Sequence, residues 1–173
     1  MEHNQLAADG TTFDNGYGIC LIPQTYLTFG KWNTSDTTAG GYKSSYMHNT
    51  VLPGVVTNLQ NVLGSHIVNR NVLLSSSTDG NYSNAYTWTT SYATLMSIGQ
   101  MNGTFASYRN KYDDGEANYK LPIFNSKDFK NGYYFWSRGV GSSTSAWYVH
   151  SDGTIYRSDV SVQDCTRPLI YLR

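Results

Sequence analysis

The sequence predicts an α+β domain, loop-rich, with two helices early and a small, twisted antiparallel sheet late. Three observations carry this. Apolar residues recur every four positions between Ser44 and Gly64, which is a helical period. From Leu121 onward, short runs of β-formers alternate with turn residues. The 173 residues, 39% hydrophobic and 14% aromatic, are enough for one core and too few for two independent ones.

The elements follow in order. Tyr17 to Phe29 carries Ile19, Leu21, Ile22, Tyr26 and Leu27 interrupted by Pro23, and reads as two short strands or one bulged strand. A polar loop runs from Lys31 to Gly41. Met47, Val51, Val55, Leu59 and Leu63 then define one face of a helix, with Ser44 or Ser45 as cap, Gly64 as stop, and Pro53 breaking it or starting its second half. Ile67 to Leu74 reads as a buried strand. Thr89 to Met101 reads as a second helix with Tyr92, Leu95, Met96 and Met101 inward. The last third reads as strands at Leu121 to Phe124, Tyr133 to Arg138, Trp147 to Arg157 and Thr166 to Leu172.

Composition narrows the function classes. Lys plus Arg and Asp plus Glu are 12 each, so no net field draws in phosphate backbones or anionic membrane, and nucleic acid is not an expected partner. No apolar run approaches the length of a membrane-spanning helix. The stretch from Met1 to Gly10 is polar and acidic and does not read as a signal peptide. Charged residues are only 14%, whereas 16 Gly, 19 Ser, 18 Thr, 15 Asn and 15 Tyr dominate. Loop-built binding surfaces favour those residues, because Tyr offers contact area at low entropic cost and Ser, Gly and Asn adapt their hydrogen bonds; frequent turns favour most of them too. Cys20 and Cys165 stand 145 positions apart with no metal-ligand spacing, and two unpaired buried thiols are expected rather than a disulfide.

The most informative stretch is Trp147 to Arg157. Asp152-Gly153 between two runs of β-formers signals a hairpin, since Gly accepts the positive φ of a tight turn. Alternation puts Trp147, Val149 and Ile155 on one face and Tyr148, His150, Thr154 and Tyr156 on the other. The second set is either a row of aromatic and polar tips facing a ligand or a cross-strand pair that merely steadies the hairpin.

Other chemistry finds little support. Asp113, Asp114 and Glu116 lack the frame of a calcium loop and read as a solvated acidic segment. His3, His48, His66 and His150 are scattered, without zinc-site spacing, and His66 reads as a satisfied residue at a helix–strand junction. No nucleophile-elbow, phosphate-loop or dinucleotide motif occurs. Arg138 and Arg167, in strand contexts beside Trp136 and Pro168, read as structural.

Laid out this way, the chain resembles a known family. The residues are Thr-Thr-Ala-Gly-Gly-Tyr at 37 to 42, Met-His-Asn-Thr-Val-Leu-Pro at 47 to 53, Leu-Gly-Ser-His at 63 to 66 and Arg-Asn-Val-Leu-Leu-Ser at 70 to 75. Ala-Thr-Leu-Met-Ser at 93 to 97, Leu-Pro-Ile-Phe at 121 to 124, Phe-Trp-Ser-Arg at 135 to 138, Gly153, and Thr-Arg-Pro at 166 to 168 follow. Together they resemble the C-type-lectin-like terminal domain, of the formylglycine-generating-enzyme-type fold, that ends tail and receptor-binding proteins of phages infecting gut bacteria. The resemblance covers residue 36 to the end. It departs at Ser137, where the family has Leu, and at Cys165-Thr166, where it has Gly-Val.

The resemblance implies an N-terminal segment, residues 1–35, continuing from a longer protein, and a ligand-binding domain, residues 36–173. Trp136, Arg138, Trp147, Gly153, Arg167 and Pro168 are its structural motif. It implies a virion protein of the tail tip or fibre that binds a protein or glycan receptor on the host cell, within a larger assembly or a homotrimer. In some relatives the last segment is diversified by a retroelement that mutates adenines and never yields Lys, Glu, Gln, Met or Trp. Gly139 to Val162 has no Lys, Glu, Gln or Met, and its one Trp, Trp147, has core parity. The calcium-binding tripeptides of sugar-binding lectins and the reactive cysteine pair of the sulfatase-activating enzymes do not carry over, so neither a metal, a cofactor nor catalysis is expected.

The expected ligand contacts are Tyr148, His150 and Tyr156 as aromatic anchors, with Ser145, Ser151, Asp152, Thr154 and Arg157 as polar contacts. Two other classes stand beside this reading: an enzyme acting on envelope glycans through Asp113, Asp114 or Glu116, and a structural cap of a fibre that binds nothing.

Overall fold

The computed structural model describes residues 19–76, 78, 86–102, 121–125 and 132–173. In chain order these form β1 (Ile19–Leu21), β2 (Thr28–Lys31), α1 (Leu52–Leu63), β3 (Arg70–Ser75), β4 (Tyr86–Ser91), β5 (Ala93–Leu95), α2 (Ile98–Asn102), β6 (Phe135–Val140), β7 (Ser145–Val149), β8 (Ile155–Asp159), β9 (Gln163–Thr166) and β10 (Pro168–Leu172). The fold is mixed α+β.

The described strands form three sheets, in the orders β1-β10-β5, β2-β9-β6-β7-β8 and β3-β4. The central one is mixed rather than antiparallel as expected, because β6 and β9 run parallel at Phe135 and Cys165. The division expected at residue 36 does not separate these sheets. Ile19 to Leu21 pairs with β10, and Thr28 to Lys31 pairs with β9, so the early strands are built into the same sheets as the C-terminus.

Pro53 starts the helix instead of breaking it. Met47–Val51 forms a wide π-helical turn that runs into α1, and Pro53 sits in the first turn of α1, where its missing N–H costs nothing. Gly64, at φ 55, closes the helix as expected, its N–H bonding the Gln60 carbonyl. The inward stripe differs from the expected one. Met47, His48, Leu52 and Val56 are buried, while Val51, Val55, Leu59 and Leu63 are only half so, because the wide turn rotates the helix relative to a uniform period.

The second helix is much shorter than expected. Thr89 to Leu95 is strand: Thr-Trp-Thr-Thr-Ser favours a pleated surface, and β4 pairs with β3 from Arg70↔Ser91 to Ser75↔Tyr86. The helix begins only after Ser97, whose Oγ accepts from the Gln100 N–H at 3.0 Å while the Gln100 side chain accepts from the Ser97 N–H at 2.9 Å. That reciprocal capping box was present in the sequence as Ser-x-x-Gln. Leu121 to Phe124, expected as a strand, enters a tight helical turn at Pro122–Asn125. The strand expected from Thr166 to Leu172 is two strands, with β9 beginning earlier at Gln163 and β10 starting at Pro168.

One core unites the central sheet with the helix start. Trp32, Tyr42, Met47, Leu52, Leu95, Met96, Phe135, Trp136, Val149 and Leu169 are all buried in it. Gly30 makes the close approach possible: a Cβ there would stand 3.0 Å from Val51 and 3.1 Å from Met47. Arg138 and Arg167 are both fully buried in the fold. Arg138 reaches Thr94 Oγ1 and the Leu95 carbonyl at 3.4 Å. Arg167 donates to the Pro23 carbonyl at 3.1 Å and lies 4.7 Å over the Phe135 ring. Pro168 occupies the first position of β10, where a strand tolerates it. Cys20 and Cys165 are not joined in a disulfide; Cys165 is buried as expected, whereas Cys20 is only half-buried. His66 stands at the helix–strand junction as expected, exposed on the turn between α1 and β3.

Candidate functional site

The hairpin β7–β8 closes through a three-residue loop, Ser151 to Gly153. His150 donates to the Thr154 carbonyl at 2.7 Å, Gly153 donates to the His150 carbonyl at 2.8 Å, and Gly153 has φ 82. Asp152 stabilises the turn by accepting from the Thr154 N–H at 2.9 Å and from its hydroxyl. These two bonds depress the Asp152 pKa. The loop fixes the register at Tyr148↔Tyr156 and Val149↔Ile155.

That register assembles four rings on one face. Tyr148 lies 6.3 Å from Tyr156 and 6.2 Å, stacked, from Tyr134; His150 meets Tyr134 edge-on at 4.6 Å and Tyr156 edge-on at 5.5 Å. Beside them, paired with Tyr148 across β6 and β7, Trp136 is fully buried and meets Tyr148 edge-on at 6.1 Å. Tyr156 is 51% exposed and Tyr134 43%, whereas Tyr148 and His150 between them are half-buried, so the cluster runs from the core edge to water. Partial burial, and then the charge of Asp164, raise the Tyr148 pKa.

No family model, curated protein or solved structure gives a significant match.

Of the expected ligand contacts, Tyr148, His150 and Tyr156 come together, with Ser151, Asp152 and Thr154 at the adjoining turn. Arg157 does not join them. It pairs with Trp147 across the hairpin, lies 5.3 Å over that indole and donates to the Gly141 carbonyl at 3.1 Å, all on the opposite face. Parity alone placed Arg157 with Trp147. Ser145 does not join them either: it closes the β6–β7 turn, its hydroxyl 2.7 Å from that of Ser142, about 10 Å along the strand from Tyr148. Tyr134 was missed, although the same alternation from Trp136 would have found it. Trp147 is half-buried, and a Cβ on Gly139 would touch it at 3.0 Å, so it serves as packing.

His150 also approaches Ser151 and Asp152, the residue types of a hydrolytic triad. Both approach the same ring nitrogen: Nδ1 is 3.4 Å from the Ser151 hydroxyl and 3.1 Å from the Asp152 carboxylate. A triad needs the acid and the nucleophile on opposite nitrogens, so this arrangement cannot relay a proton. Asp113, Asp114 and Glu116 lie outside the described residues, and among the described residues no three His, Cys, Asp or Glu side chains could hold a metal ion.

A second concavity, of about 340 Å³, lies between α1 and the β4–β5 corner, lined by His48, Leu52, Val56, Gln60, Ser91 and Tyr92 among others. His48 Nε2 is 3.5 Å from the Ser91 hydroxyl, whereas Nδ1 is buried without a partner. Burial, reinforced by the charges of Arg138 and Lys43, lowers the His48 pKa to about 4.

Proposed function

We propose that this chain is a non-enzymatic recognition domain whose binding surface is the ring cluster Tyr134, Tyr148, His150 and Tyr156. The observation that carries the reading is that these rings share one face open to water beside a buried Trp136. A rigid aromatic face with a turn of small polar residues at its rim is what an interface hot spot needs: large contact area at little entropic cost, with adaptable hydrogen bonds around it. Ser151, Asp152 and Thr154 supply that rim.

The motif series from residue 37 to 168 supports the finer reading of a C-type-lectin-like fold ending a phage tail or fibre protein, displaying a variable Tyr- and Ser-rich surface to a host cell-surface receptor. On that reading the domain belongs to a virion, works without cofactor or metal, and sits in a larger tail assembly or a homotrimer. The absence of Lys, Glu, Gln and Met between Gly139 and Val162 favours diversification of the segment, because adenine mutagenesis cannot produce them. Cell binding by a Tyr148→Ala, Tyr156→Ala double variant tests the reading.

A further inference from the structure

The concavity beside α1 does not stand alone. A neighbouring hollow, of about 460 Å³, borders it past the end of the helix at Gly64, Ser65 and Ile67, and Gln60 and Tyr92 line both. Tyr92 is 42% exposed, and its carbonyl accepts from the Tyr171 N–H at 3.1 Å, which fixes this corner to β10.

The hydrogen bonds already made by the lining residues decide what the first hollow can offer. A side-chain amide nitrogen has two hydrogens to give and a hydroxyl has one. Asn49 gives both of its hydrogens to the Lys43 and Ser45 carbonyls, each at 3.0 Å. Thr57 gives its one to the Pro53 carbonyl at 2.9 Å, and Thr90 its one to Asn71 Oδ1 at 2.7 Å. What these three retain for a ligand is acceptor oxygen. The half-buried Gln60 adds an amide at the rim, and Leu52, Val56 and Ala93 add buried apolar wall. His48 and Ser91, both buried, complete the lining, and the orphaned His48 Nδ1 is a cost that an apolar side chain in the same place would avoid.

We propose that this hollow is a second binding site, separate from the ring cluster, and that it takes a neutral sugar ring whose hydroxyls donate to Asn49, Thr57 and Thr90 while its C–H face lies on Tyr92. A sugar carries several O–H donors around a compact ring with an apolar face, which matches acceptor oxygens beside an aromatic wall. At about 340 Å³ the hollow is at the small end of ligand sites, which run from roughly 300 to 1,000 Å³. A peptide strand brings as many carbonyls as N–H groups, and its carbonyls would face acceptors. The lining side chains are uncharged, His48 being held neutral at pH 7 by burial, so a charged ligand would lose its water there without a counter-charge. Tyr134, Tyr148, His150 and Tyr156 line neither hollow, so the inference is independent of the ring cluster.

The test is saturation-transfer NMR of the full chain with the methyl glycosides of glucose, mannose, galactose and N-acetylglucosamine at millimolar concentration, with glucosamine and sialic acid as charged counterparts. At least one neutral glycoside should bind, and should bind at least about fivefold more weakly to Gln60→Ala and to Tyr92→Ala, while the Tyr148→Ala, Tyr156→Ala variant binds it as the wild type does. Thr57→Trp, which fills the hollow from the exposed side of α1, should abolish binding; thermal unfolding checks that each variant is folded. No transfer to any of the four neutral glycosides overturns the proposal, as does binding that survives both Gln60→Ala and Tyr92→Ala. Tighter binding of glucosamine or sialic acid overturns the neutral ligand, and a loss confined to the Tyr148→Ala, Tyr156→Ala variant moves the sugar to the ring cluster and overturns the second site.

Discussion

Trp136 stands across from Tyr148 on the neighbouring strand, edge-on at 6.1 Å, and is itself anchored by its Nε1, which donates to the Gly30 carbonyl at 3.0 Å. Through Trp136 the exposed rings are tied to β2 across two intervening strand pairings. Trp136→Phe keeps an aromatic ring and loses that bond. It should destabilise the fold by about 2 to 4 kcal/mol, from the unpaired carbonyl and the volume lost, measured by urea unfolding.

Arg157 provides a control on which face matters. Since it lies over Trp147 and not in the ring cluster, Arg157→Ala should cost about 0.5 to 1 kcal/mol of stability and leave cell binding unchanged. A drop in binding without a drop in stability would return Arg157 to the site.

His48 makes stability fall with acid. Its folded pKa is about 4 against 6.5 for the free imidazole, so the unfolded chain takes up the proton first as pH falls. The contribution is complete at pH 7, is lost progressively from about pH 6.5 and is exhausted near pH 4, amounting to about 3 kcal/mol. Urea unfolding of wild type and His48→Gln across this range should give curves that converge as pH falls; parallel curves would contradict it.

The two thiols should react differently. Burial, and then the charge of Asp164, raise the Cys165 pKa to about 11, and Cys165 is buried where Cys20 is half-exposed. Since the thiolate is the nucleophile, iodoacetamide at pH 8 should label Cys20 in the native protein well before Cys165, read by peptide mass mapping.

Much of this was legible in the sequence, for local reasons. The turn at Asp152-Gly153 set the register of β7 and β8, and register alone brought Tyr148 to Tyr156. Period-two alternation also implied that Arg157 belongs with Trp147, a consequence of the strand geometry that a list of polar contacts overrides. Residues 89–95 misled because Tyr92, Leu95 and Met96 mimic a helical spacing, while the pairing of β4 with β3 and of β5 with β10 is non-local and leaves no trace in a short window. Likewise, nothing near Ile19 or Thr28 announces partners at Leu172 and Thr166. Tyr134 escaped although the strand expected at Tyr133 to Arg138 contains it, because its meeting with Tyr148 depends on the pairing of β6 with β7.

On the proposed reading, the Tyr134, Tyr148, His150 and Tyr156 face binds a host cell surface. Its most direct measurement compares wild type with the Tyr148→Ala, Tyr156→Ala double variant for binding to intact bacterial cells that the wild type binds, with thermal unfolding as the check on folding. Cell binding should fall at least about tenfold, one or more hot-spot residues' worth, while the melting temperature stays within a few degrees. Equal cell binding by the two proteins at unchanged melting temperature would contradict it.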